Sequence, residues 1–498
     1  MSNFSRRSFI AGVATIPFSV WFKEYSSAQA PLTRHDAWSP QGQTMLAKYA
    51  KAVKTMMSTG EGDPRSWVFQ WYTHWVKGST TKSDEIARVY TNPADPRRAI
   101  AQEMWQTCQA HADTDDPNFF LPWHRMYVYF FERIVRSLSG DPAFALPYWN
   151  YSTSTPAQHG IIPPQFRQKG DPTFGPLYVE KRNVPPNAPN VNKGEPIDKD
   201  QPGNILNLGA LSECSYEPQG VRRGFCMRID NGLHGTVHVQ VGDPENMGDV
   251  PWAAGDPIFW LHHCNIDRLW ESWNRAGRKN PTNQQWLLQQ FVFADENGNR
   301  VLATVKDFLD VGKLGYSYDR YETVPTCPPP GPLAPTSLER RAAVPTGAIQ
   351  LGSSPVRVTL EPLQEPGAGP FMPLPARVEN LPPERRLYLL TKDLRAEAQP
   401  GVLYHVYLDM PPGTPPEKGA PHYVGTINFF DASQQDGPHG GTAAAGTQKF
   451  FSFDVTEVAK YLQSKKQLNA KPTLTIAPSG QPAAAAKPVV GDILLVEQ

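Results

Sequence analysis

The sequence predicts a multidomain protein: a mainly α-helical unit with long loops over the first two thirds of the chain, followed by a β-sandwich. Three observations carry this expectation. Apolar residues recur at helical spacing in several segments between Leu46 and Trp273. From about residue 351 the period changes to two, in short runs separated by Pro and Gly turns. Between the two regimes, residues 321–350 hold Cys-Pro-Pro-Pro-Gly-Pro and Glu-Arg-Arg, a linker by composition and a target for proteases. A chain of 498 residues is in any case long for one domain.

Residues 1–30 read as a targeting segment. Ser5-Arg6-Arg7-Ser8-Phe9-Ile10 is followed by an apolar run to Phe22 and small residues from Ser26 to Ala30. The run is too short to span a bilayer comfortably. The paired arginines point to twin-arginine export of a folded chain, hence to a periplasmic or secreted protein, with ordinary secretion as the alternative. No other stretch is long and apolar enough for a transmembrane helix. The 48 basic residues balance 48 acidic ones and no basic block stands out. That argues against nucleic acid or an anionic membrane surface as partner. The 51 prolines favour long ordered loops. Five cysteines, at 108, 214, 226, 264 and 327, are an odd number and no disulfide framework. Cys214 and Cys226 flank a short Gly-containing loop and are placed to pair after export.

The first helix is expected over Gly42–Met57, the second over Trp67–Val76, carrying His74 among five aromatic residues. A third, Arg97–Ala110, runs into Cys108-Gln-Ala-His111, and an apolar helix from Phe119 carries His124. Residues 151–212 are rich in Pro, Gly and Asn and read as surface loops, so His159 is not expected to be a ligand. His234 and His238 lie four apart, one turn above the other on one helix face. Asp256–Asp267 sets His262 and His263 among Ile258, Leu261 and Ile266. Histidine in so apolar a helix is either hydrogen-bonded in the core or bound to a metal. Two sets of three imidazoles, each with members on apolar helices, suggest two metal ions in a helical core. Neutral imidazoles without carboxylate or thiolate ligands suit copper. Beyond the linker, seven runs read as strands, beginning at Val356, Arg386, Val402, Tyr423, Lys449, Thr473 and Ile493.

Leu-Pro-Trp-His124-Arg with the Phe-Phe-Glu after it, His234-x-x-x-His238, Leu-Pro-Tyr-Trp-Asn150, and Asp256-Pro-Ile-Phe-Trp-Leu-His-His-x-Asn-x-Asp-Arg together resemble the tyrosinase and polyphenol oxidase family of type 3 copper proteins. The resemblance spans about two thirds of the chain. Its Tyr316-Ser-Tyr318 is similar to the close of the catalytic region in plant-type members, so the catalytic domain is expected over 31–320. The Lys449-Phe-x-x-Phe-Asp-Val stretch resembles, more loosely, their C-terminal domain, which makes residues 351–498 a candidate lid. The resemblance implies a four-helix-bundle core with two copper ions, O2 as co-substrate and small phenols as substrates. It assigns His74, His111 and His124 to the first copper and His234, His238 and His263 to the second. His263 is preferred to His262 because the family's ligand precedes the motif aspartate, here Asp267, by four. His262 then packs alongside, and Asp267 orients a group near the metal.

Several departures bear on the reaction. His111 and His124 are further apart than their counterparts in much of the family. Cys108, in Cys-x-x-His, is either a thioether partner of His111 or a plain buried thiol. Asp230 stands where plant-type members carry Glu, and Gly235 replaces an Asn. Together these favour oxidation of o-diphenols to o-quinones over ortho-hydroxylation of monophenols. Asp230 is equally readable as a helix cap. Val250, thirteen before His263, matches the gate position and would admit bulkier phenols, or is a loop residue packed on the core. The resemblance leaves an o-aminophenol oxidase and a hemocyanin-like oxygen-binding protein as alternatives.

Overall fold

The computed structural model describes residues 31–110, 117–182, 189–327, 339–343, 347–362, 372–415, 421–432 and 449–498. The expected export segment, His111 and most of the Pro-rich stretch therefore lie outside the described residues. No helix among the described residues is long and apolar enough to cross a membrane.

Helices dominate up to residue 288. Pro40–Ser58 begins where the Ser39 hydroxyl accepts the Gly42 amide, and Trp67–His74 begins with Ser66 accepting that of Phe69. Phe120–Ser139 is buried along most of its length and ends at Gly140, whose φ of 75° suits glycine. It packs on Ile258–Arg275, buried without a break from Ile258 to Trp273. Between them, a π-helical turn over Ile229–His234 runs into the helix Gly235–Val241. Such turns re-aim the side chains beyond them and recur at functional sites.

The third helix is shorter than its periodicity implies, running only over Pro96–Met104. Gln106 then takes a φ of 56°, and the Gln106 and Thr107 amides donate to the carbonyls of Tyr72 and Thr73. The chain exchanges a helical turn for this attachment to the His74 helix, which carries Cys108 inward.

The helical region closes on itself. Strand Leu32–Arg34 pairs in parallel with Tyr316–Tyr318. Arg34 bonds Glu132 at 2.8 Å and Asp267 at 3.1 Å, and Asp267 also takes Arg125 and the hydroxyls of Tyr316 and Tyr318. Asp267 thus acts one step from the histidines, by fixing Arg125 beside His124, and it ties both strands to both long helices.

Each of the seven expected strand runs contains a strand. Tyr423–Ile427, Tyr404–Leu408, Thr473–Pro478 and Val356–Thr359 form one antiparallel sheet in that order. Phe451–Asp454, Leu387–Arg395 and Val489–Glu497 form the centre of a second. Glu339–Ala343, within the expected linker, adds to this sheet beside Val489–Glu497.

The cysteine pairing differs from expectation. Cys214 is bonded to Cys327, with Cα atoms 5.9 Å apart, while Cys226 is a buried cysteine outside that disulfide. Cys226 lies on the helix Gly224–Arg228, which turns it into the core. Cys214 sits in the preceding loop, where the chain beyond Arg320 passes.

Candidate metal centre

His74 ends the helix Trp67–His74, His124 lies near the start of Phe120–Ser139, and His234 closes the π-turn. His238 sits one turn later, and His262 and His263 lie in Ile258–Arg275. These elements bring together two buried groups, His74 with Cys108 and His124, and His234 with His238, His262 and His263. Within each group the donor atoms lie within 4.8 Å of one another. The groups adjoin: the His124 and His263 rings stack at 4.3 Å and 8°.

The imidazoles are oriented through Nδ1. His124 donates to the Phe120 carbonyl at 2.8 Å and His238 to that of Met247 at 2.8 Å. A carbonyl only accepts, so the proton sits on Nδ1 and the Nε2 lone pair is left to face the centre. Nε2 of His234 and His238, and both ring nitrogens of His262 and His263, are buried with no hydrogen-bond partner. Burial holds His74 down at about 3 and His124, His238, His262 and His263 well below the ordinary histidine range, with neighbouring imidazoles adding to the effect. Neutral imidazoles with inward lone pairs are a donor set that fits copper. Phe120 and Phe259, which carry no signal of their own in the sequence, wall the centre. Phe120 lies 4.6 Å from His124 and 4.7 Å from His234, and Phe259 lies 4.2 Å from His263 and 5.1 Å from His74.

The remaining predicted positions have distinct surroundings. Cys108 is fully buried with Sγ 3.5 Å from His124 Nε2. Its expected partner His111 is outside the described residues. Asp230 does not cap a regular helix. Its main-chain oxygen and Oδ1 lie 3.2 and 3.1 Å from His234 Nδ1, so it orients that imidazole. His262 stacks on His234 at 5.4 Å and faces Tyr151 at 5.5 Å. Val250 opens the short helix Val250–Ala253, and its main chain lies against the His74 ring. The Trp71 indole donates to the Pro251 carbonyl at 2.8 Å, joining this helix to the one that carries His74.

The C-terminal third reaches the centre. Phe430 stacks on His238 at 4.1 Å and 16° and meets His234 edge-on at 5.7 Å. Tyr404 and Phe429, comparable aromatic residues in sequence, face the C-terminal core instead. Asn428 Nδ2 donates to the Asn231 carbonyl at 2.8 Å. On the flank, His405 and Gln201 are hydrogen bonded at 3.0 Å. Nothing in the local sequence distinguishes Phe430 from a strand-end residue of the β core.

Residues 64–276 match the common central domain of tyrosinase, residues 280–326 the polyphenol oxidase middle domain, and residues 343–498 a domain of unknown function, DUF7868. The chain is 29% identical over 460 residues to the tyrosinase HcTyr1 of Hahella sp. (strain CCB-MM4), covering 87% of this chain and 92% of that one. It is 33% identical over 335 residues to the chloroplastic polyphenol oxidase A1 of Vicia faba, covering 61% of this chain and 50% of that one. Its fold is similar to that of a latent aurone synthase (polyphenol oxidase), with a TM-score of 0.60 at 22% identity over 94% of this chain and 90% of that one. The chain belongs to the tyrosinase and polyphenol oxidase family. It is an oxidoreductase whose general reaction is copper-dependent phenol oxidation at a dinuclear centre.

Proposed function

We infer that this chain oxidises o-diphenols to o-quinones with O2, ortho-hydroxylation of monophenols being the lesser activity. The ligands are His74, His111 and His124 for one copper and His234, His238 and His263 for the other. In the main reaction two diphenols give up four electrons and four protons to one O2, which leaves as two waters. Copper, when bound, supplies the electron transfer between phenol and O2. The protein keeps His74, His124, His238 and His263 neutral by burial, turns imidazole lone pairs inward and excludes water with Phe120 and Phe259. Asp230 spends its main-chain oxygen and one carboxylate oxygen on His234. With no side chain at Gly235 to share a water, proton removal from a monophenol is the weaker step. The observation that carries this reading is the pair of adjoining buried imidazole groups, the second of which holds ring nitrogens without a hydrogen-bond partner.

The helices that carry the histidines are read as a four-helix bundle, and the two C-terminal sheets as the halves of a β-sandwich. Supporting the second reading, Leu389 and Leu394 of one sheet share a core with Val406, Leu408 and Ile476 of the other. Residues 351–498 act as a lid, with Phe430 over His238 as its plug. Residues 1–30 direct twin-arginine export, so the mature chain is expected to begin near residues 29–31, as intact-mass measurement will read.

Oxygen uptake by the copper-loaded chain tests the reaction. Catechol is expected to be consumed faster than its monophenol, and both faster after limited proteolysis between residues 320 and 350. Phe430→Ala is expected to raise the uncleaved rate by about tenfold, since rate follows the fraction of open centres. Oxygen bound reversibly, with neither substrate consumed after cleavage, would replace the enzyme by a carrier.

A further inference from the structure

Gly235 is a glycine for which the backbone gives no reason. Its φ of −62° is ordinary helix, open to any residue, and glycine within a helix weakens it. The reason lies 193 residues away. A Cβ on residue 235 would stand 2.7 Å from Asn428 Oδ1, closer than such atoms pack, and 3.1 Å from both Cγ and Nδ2 of the same side chain, tighter than most such contacts. The Asn428 carboxamide fills the space a side chain at 235 would take.

That carboxamide has no room to retreat. Asn428 is fully buried. Its Nδ2 donates to the Asn231 carbonyl at 2.8 Å, one turn before Gly235 on the same face. Its Oδ1 accepts from Lys449 Nζ at 3.1 Å and from the Phe430 amide at 3.3 Å. Lys449 also pairs with Asp431, so the segment 428–431 is braced from behind. Two residues beyond Asn428, Phe430 lies flat on His238.

We propose that Gly235 and Asn428 are a matched socket and key, and that this fit, rather than Phe430 alone, seats the C-terminal segment on the second histidine set. The proposal rests on the reading of that segment as a lid. It makes the residue after His234 the one that decides whether the uncleaved chain is shut. The flanking contacts, His405 with Gln201 and Gln498 with the Val221 amide at 2.8 Å, are independent of the pair, so a misfit at 235 acts locally.

The test is a steric swap in the full chain, read first by hydrogen–deuterium exchange of residues 423–432 in metal-free protein. Gly235→Ala is expected to speed exchange there while leaving residues 387–395 protected. It is also expected to raise catechol oxidation by the uncleaved, copper-loaded chain by about tenfold, as the open fraction grows. Asn428→Gly removes the atoms the new methyl group meets together with the bond to Asn231, so the double variant is expected to exchange no faster than Asn428→Gly alone. Unchanged exchange in Gly235→Ala, or a double variant that exchanges faster than Asn428→Gly alone, overturns the pairing. Should the wild-type chain oxidise no phenol even after cleavage, the enzymatic reading fails, yet the exchange comparison still decides the pair.

Discussion

Replacing His263 with alanine is expected to leave the protein holding copper at one position instead of two. Catechol oxidation by the linker-cleaved enzyme is expected to fall by more than about a thousandfold, well beyond the 10–100-fold that losing a supporting neighbour costs. Both ring nitrogens of His263 are buried without a hydrogen-bond partner, and its ring stacks on His124 of the other group. It therefore adjoins both groups, and no protein group among the described residues stands in for its lone pair. His262→Ala is the informative control. That residue is equally buried and equally unpartnered, and it lies within ligand distance of His234 and His238. As a neighbour stacked between His234 and Tyr151, its loss is expected to keep both ions and cost about 10–100-fold. Copper content with oxygen uptake decides between them, and a reversed result would move the ligand role to His262.

The second large effect is on stability. Asp267→Ala is expected to destabilise the protein by about 3–5 kcal/mol, because it leaves Arg34 and Arg125 as buried charges without their shared partner. Burial alone would raise the Asp267 carboxyl, but the Arg125 and Arg34 guanidiniums overcome it and hold the group below its ordinary value. A carboxyl lowered in the folded state contributes stability that is fully present above its unfolded value, about 3.9, and is lost as pH falls through the folded one. Wild type is therefore expected to outlast the variant in urea near neutrality and to lose that margin below about pH 4. Urea midpoints measured across this range check it. Equal midpoints at neutral pH would mean that the network contributes nothing net.

The histidine-bearing helices were legible because two signals coincide in them, an apolar period and paired or spaced imidazoles. His124, His234 and His263 all lie where both are strong. The strands were legible from alternation, although Glu339–Ala343, among prolines and charges, was hidden. Contacts between distant segments were not legible. Cys214 and Cys327 are 113 residues apart, and Cys226, across the short loop that follows Cys214, offered a local partner that helix geometry turns away. The roles of Gly235 and Asn428 exist only together, since a missing Cβ has meaning only against the group that takes its place. Asp267 was expected to orient a group near the metal, but the partners it holds, Arg34 and Tyr316 among them, come from the far ends of the helical region.

The parallel pairing of Leu32–Arg34 with Tyr316–Tyr318 has a consequence for how such a chain can change over generations. The first and last strands of the helical region are fastened to each other, with Asp267 as a common clasp and the Cys214–Cys327 bond securing the stretch beyond Arg320. Every partner in that fastening precedes residue 328. The final third takes no part in that fastening, so its exchange over generations leaves the clasp of the helical region in place. Gly235 would record the exchange, being free to regain a side chain once nothing needs the room.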